Sequence, residues 1–150
     1  MMRTVNDSVN PTLVRSETSA ELTEMVAGLM PFAGAIGLEI VSNNAEESVG
    51  IADWAAERCT VGGALHGGFL MALADSMGAV CTFANLPAGA VGTSTIESKT
   101  NFLRAATAGP VTITSTPLHA GRTTIVVQTD IRRPDGKLVT RTIQTQVVLS

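Results

Sequence analysis

Tyrosine is absent from this 150-residue sequence, tryptophan occurs once and phenylalanine four times. So few aromatic faces leave no material for a base-stacking platform. There is no run of Lys or Arg; 10 basic residues against 13 acidic ones give a formal charge of -3 and a pI near 5.3. A nucleic-acid partner would need a basic stripe, so none is expected. The two cysteines, Cys59 and Cys81, could close one bridge at most. The N-terminus, Met1 to Asp7, lacks the apolar stretch of a secretory signal. The longest apolar window, residues 69–80, is interrupted by Asp75 and Ser76 and is too short to span a bilayer. The expectation is a cytoplasmic chain with two free core thiols, no membrane attachment and no metal.

What is present suits one domain. Hydrophobic residues make up 45% and charged residues 15%, enough for a core and unlike a disordered chain. Residues 1–19 are polar and aperiodic and read as a flexible N-terminal tail, leaving 20–150 as the folded domain. Leu22, Met25, Val26 and Leu29 recur at helical spacing after Ser19, and Pro31 should end that helix. Residues 37–41 and 48–54 read as strands joined through Ser42-Asn43-Asn44. From His66 to Phe83 Ala, Leu and Met dominate with apolar residues on every side, which describes a helix surrounded by protein. Thereafter the chain is rich in Thr, Val and Ile, with strands expected at 92–104, 111–119, 123–132 and 138–149. In the last, Ile143, Thr145, Val147 and Leu149 share one face and Thr142, Gln144 and Gln146 the other. The intervening turns fit hairpins. The class is α+β, an antiparallel sheet wrapped around one long central helix.

Asp75 is the first candidate for chemistry. A carboxylate in an apolar helix should be desolvated, which is costly unless it is paired or used; a structural Asp and a functional one are both open. His66-Gly67-Gly68 stands at the start of the same helix. The first amides of a helix lack internal acceptors and carry the positive end of its dipole, so an oxyanion could approach them there. A glycine turn with a capping histidine is the plainer reading.

Together these residues resemble a family. Leu65-His66-Gly67-Gly68-Phe69-Leu70-Met71-Ala72-Leu73-Ala74-Asp75 is similar to the signature of hotdog-fold acyl-CoA thioesterases of the phenylacetate-degradation and hydroxybenzoyl-CoA type. Asn101-Phe102-Leu103-Arg104 followed by Gly109, and His119-Ala120-Gly121-Arg122-Thr123-Thr124, match the same pattern, and the resemblance covers about residues 32–149. It implies hydrolysis of an aryl or medium-chain acyl-CoA by homodimers or homotetramers, with no cofactor beyond the coenzyme A of the substrate. It casts Asp75 as general base or nucleophile, the Gly67 amide as the group polarising the thioester carbonyl with help from His66, and Gly68, Asn101, Arg104, Arg122 and Thr123 as substrate-binding residues. Departures from the pattern are Ala105, where proline is favoured, Ala79 one turn after the carboxylate, and Thr60 ahead of the His-Gly-Gly. Helpers that orient the attacking water are then either missing or replaced, with Ser76 and Asn101 as the candidates.

Helix geometry adds a separate argument. Asp75 lies eight residues after Gly67, roughly 12 Å along the axis at about 1.5 Å per residue. Base and oxyanion donor must each come within about 3 Å of one reacting group. One helix cannot easily supply both, whereas two helices related by a twofold axis can, so a dimer with composite sites is expected. A non-catalytic acyl-CoA-binding module and a hotdog hydratase or dehydratase are the alternatives.

Overall fold

The computed structural model describes residues 19–150; the expected tail lies almost entirely outside them. Helix α1 (Ser19–Leu29) buries Leu22 and Val26. Pro31 does more than stop it: it opens a second short helix, α2 (Pro31–Ala35), from its first turn, where a missing N–H costs nothing. Strands β1 (Glu39–Asn43) and β2 (Ser48–Ala52) follow. The turn between them begins at Asn44, two residues later than the expected start at Ser42, and Asn44 Oδ1 accepts the amides of Glu46 and Glu47.

The long helix α3 (Gly67–Phe83) runs where the sequence places it. Two carbonyls near its end also accept from side chains: Thr82 Oγ1 donates to Gly78 O at 2.8 Å and Asn85 Nδ2 to Cys81 O at 2.9 Å. Strands β3 (Gly92–Phe102), β4 (Val111–Ala120), β5 (Thr124–Arg132) and β6 (Leu138–Leu149) complete a six-stranded sheet. Its order is β1-β2-β4-β5-β6-β3 and every neighbouring pair is antiparallel. The sheet curves around α3, with Leu73, Met77 and Val80 fully buried between them. Gly50 makes room there, since a Cβ on it would stand 2.9 Å from Met77 Sδ.

Alternation along β6 is as read from the sequence, and its polar set faces inward: Thr142, Gln144 and Gln146 are buried against α3. The hydroxyls form part of a row that crosses the whole sheet in register, Asn43–Ser48–Ser115–Thr129–Thr142–Thr100. Hydrogen bonds join Ser48 to Asn43, Ser115 to Thr129 and Thr100 to Thr142 at 2.6–2.8 Å. This row divides the apolar interior. Ile113, Ile131 and Val139 belong to the larger cluster on one side, Ile125, Val127 and Cys81 to the smaller on the other. Neither cysteine is bridged. Among the described residues no helix is long and apolar enough to cross a membrane.

Candidate active site

The approach to α3 is fixed by backbone hydrogen bonds from Leu65 N to Ala106 O and from His66 N to Arg58 O, at 2.9 and 2.8 Å. His66 is the N-cap: its Nδ1 accepts the Gly68 amide at 2.8 Å. In the neutral ring the proton therefore sits on Nε2. The cap occupies the Gly68 amide, while the Gly67 amide, in the first turn, has no intrahelical acceptor. Phe102 packs on Gly67 so closely that a Cβ there would lie 3.1 Å from its ring.

Gly67, Met71 and Asp75 follow one another at four-residue spacing and share one stripe of α3. The chain's own sheet does not cover this stripe. Met71 is 40% exposed and Asp75 is also exposed, contrary to the desolvation expected of it. The reason is topological: the stripe emerges beside β3, the last strand of the sheet, whose outer edge is unpaired. Ile96 and Phe102 on that edge are 61% and 53% exposed, and with Met71 they leave apolar surface on this side of the chain.

Asp75 has partners that the sequence did not reveal. Thr95 Oγ1 donates to Asp75 Oδ1 at 2.9 Å, and Gln144 Nε2 lies 3.4 Å from the same oxygen. Gln146 Nε2 donates to Thr95 Oγ1 at 2.8 Å. The two helpers suggested by the sequence are elsewhere. Ser76 is about 100° further round the helix. Asn101 pairs with Arg141 on the sheet face turned away from α3, where its Oδ1 accepts from Lys99. Period-two alternation along β3 explains this, since the neighbouring Thr100 and Phe102 are the ones that face inward.

The remaining expected residues fall into two groups at opposite ends of the sheet. Arg104 N bonds Val139 O, and its guanidinium donates to Leu138 O at 3.1 Å, at the Gly67 end. Thr123 O accepts from Val148 N, so Thr123 and the adjacent Arg122 belong to the Asp75 end. Nine residues of β6 separate these levels, about 30 Å at roughly 3.3 Å per residue. One chain cannot bring both arginines to one ligand.

A cavity of about 520 Å³ opens beside the helix N-terminus, lined by Phe32, Ile36, Arg58, His66, Phe69 and Ala72 among others. Its walls combine apolar side chains with Glu57, Arg58 and His66, and the Arg58 guanidinium lies over the Phe69 ring at 5.3 Å. No group of three or more His, Cys, Asp or Glu suited to a metal occurs among the described residues.

The profile of the family described as Thioesterase superfamily matches residues 62–140, from before the His-Gly-Gly turn into β6. The chain belongs to this superfamily. A Bacillus subtilis protein named as an esterase is 34% identical over 108 residues, covering 70% of this chain and 83% of that protein. Another from Saccharolobus solfataricus is 36% identical over 88 residues, 59% of this chain and 61% of its own length. A thioesterase from Haemophilus influenzae shares the fold with a TM-score of 0.81 and 26% identity, over 91% of this chain and 94% of that one. A hypothetical thioesterase from Streptococcus pneumoniae, solved with coenzyme A, gives 0.74 and 25% over 83% and 97%. The superfamily's hotdog fold is thus the fold of this chain.

Proposed function

We propose that this thioesterase-superfamily member hydrolyses an acyl-CoA thioester at two composite sites of a homodimer. The observation that carries the reading is the stripe of α3 on which the free Gly67 amide and the tethered Asp75 carboxylate face outward beside an unpaired strand. If β3 pairs with its copy antiparallel about a twofold near its middle, the Asp75 end of one chain meets the Gly67 end of the other. The same operation joins Arg122 and Thr123 of one subunit to Arg104 of its partner, which answers the separation of about 30 Å. The coenzyme A seen with the Streptococcus relative supports the ligand class.

In this scheme the Gly67 amide donates to the carbonyl oxygen of the thioester and, with the dipole of α3, stabilises the oxyanion. His66 holds the adjacent amide and shapes the turn. Asp75 either takes a proton from the attacking water, so that the acid forms directly, or attacks the carbonyl itself to form an anhydride that water then hydrolyses; in both cases the C–S bond breaks and coenzyme A leaves as a thiolate that takes up the proton released by the water. The reaction needs no cofactor. The apolar part of the cavity, at Phe32, Ile36, Phe69 and Ala72, suits an aryl or medium-length acyl group, in keeping with the phenylacetate-type resemblance. Asp75→Asn tests the assignment: kcat should fall about 10²–10⁴-fold with the melting temperature unchanged or raised. Wild-type turnover in that variant would remove Asp75 from catalysis.

A non-catalytic acyl-CoA-binding module is the second reading. The solvent access of Asp75 in the single chain favours it, because a binder would then bear little desolvation cost. Multiple turnover with release of free thiol from an acyl-CoA panel separates the two.

A further inference from the structure

Two glutamines on the inner face of β6 connect to the proposed catalytic carboxylate, Gln144 directly and Gln146 through Thr95, and their hydrogen bonds have a direction. Ionised Asp75 can only accept, so the single hydroxyl proton of Thr95 points to Oδ1 across 2.9 Å. Thr95 must then receive a proton on its lone pair, and Gln146 Nε2 supplies it at 2.8 Å. That fixes the amide of Gln146, whose Oε1 faces the Thr93 hydroxyl at 3.1 Å. Gln146 is 1% exposed, so water does not compete for these bonds.

Gln144 reaches the same oxygen by another route. Its Nε2 stands 3.4 Å from Asp75 Oδ1 and 3.5 Å from the Asp75 carbonyl, at the long end for hydrogen bonds. Its side chain lies against Gly78, where a Cβ would come within 2.4–2.5 Å of the amide atoms. Its Oε1 is buried with no hydrogen-bond partner. A side chain kept only for a satisfied core network would not leave its acceptor orphaned. The donor end faces the carboxylate. Among the described residues nothing is bonded to Oδ2.

From this geometry we infer that Gln144 and Gln146 are positioning residues that hold Asp75 by Oδ1 and leave Oδ2 as the oxygen presented to water or thioester. The inference rests on the hydrolase reading for its catalytic consequence and on hydrogen-bond geometry for the clamp itself, so each is tested separately. In kinetics, Gln144→Met, which removes a donor to the charged group, and Gln146→Met, which acts on it through Thr95, should each lower kcat about tenfold with KM unchanged. Neither should lower kcat further in the Asp75→Asn background, because residues acting through one group are not additive. Gly78→Ala should reproduce Gln144→Met by displacing the amide. Equal fractional losses with and without Asp75, or unchanged kcat, would overturn the proposal. By NMR, the Gln146 side-chain amide should be protected from solvent exchange in the native protein and lose that protection in Thr95→Val. An amide unprotected in the native protein, or protected equally in both, overturns the clamp whatever the protein hydrolyses. A protected amide in a protein that turns over no acyl-CoA would instead count against the hydrolase reading alone.

Discussion

Thr95 is the residue through which the fold reaches Asp75, and it came from no motif. The contact spans 20 positions in sequence, and that from Gln144 spans 69. Both depend on the register of β3 against β6, which sequence periodicity does not determine. His66, Gly67 and Asp75 were legible because they belong to one helix and its cap, where spacing alone fixes the relations. One signal could have pointed further: Thr142, Gln144 and Gln146 alternate with apolar residues, and a polar set turned inward is uncommon unless something polar lies above it. Thr95→Val keeps the shape of the side chain and removes the donor. Loss of a hydrogen bond to a charged group is worth about 1.5–3 kcal/mol, so kcat should drop roughly 10- to 100-fold on the best acyl-CoA substrate. A turnover within twofold of native would show that Thr95 is not needed to orient the carboxylate.

The elements themselves were mostly readable, with shifted ends. The strands expected at 48–54 and 92–104 stop two residues early, at Ala52 and Phe102. A buried helix was correctly drawn, yet one of its stripes is open, because burial on all sides was inferred from composition without knowing which strand would lie last. On the outer face of the sheet β5 and β6 are joined by charge. Arg141 donates twice to Asp130 at 2.7 Å, with Arg132 at 3.1 Å from the same carboxylate. The hydrogen bonds from Arg141, with the two positive charges, hold the Asp130 carboxyl below the usual carboxylate range. A carboxyl lowered in the folded state adds stability above its unfolded value and loses that contribution as pH falls through the folded one. Arg141→Gln should therefore destabilise at pH 7, by about 1 kcal/mol for a half-exposed partner. The difference should shrink as pH falls below the usual carboxylate range. Thermal melts of both proteins across that range would show it, and a gap independent of pH would assign the effect to packing.

At the scale of the molecule the open stripe, the unpaired edge of β3 and the two separated groups of ligand-binding candidates all call for a second copy. Light scattering at micromolar concentration should give at least twice the chain mass of 15.5 kDa. A fully active monomer would end the composite-site scheme. Arg104→Ala and Arg122→Ala should each raise KM with kcat little changed, since binding energy remote from the reacting bond is removed. The effect should shrink in salt. An unchanged KM in both would return these side chains to an ordinary solvated edge.

The row of polar side chains across the six strands has a dynamic consequence. It acts as a seam: the smaller apolar compartment, with Cys81, Leu86, Ala90, Ile125 and Val127, is distinct from the larger one, with Phe83 packed against both, and should open as a unit of its own. Burial pushes the Cys81 thiol up to about 12, against a hydrogen bond with Ser48 that acts the other way, so it is inert while the compartment is closed. Its rate of labelling by a disulfide reagent is then a clock for that opening. It should exceed the rate set by global unfolding, and Ser115→Val, which removes one stitch of the seam, should change it. Labelling no faster than global unfolding would mean that the two compartments open as one.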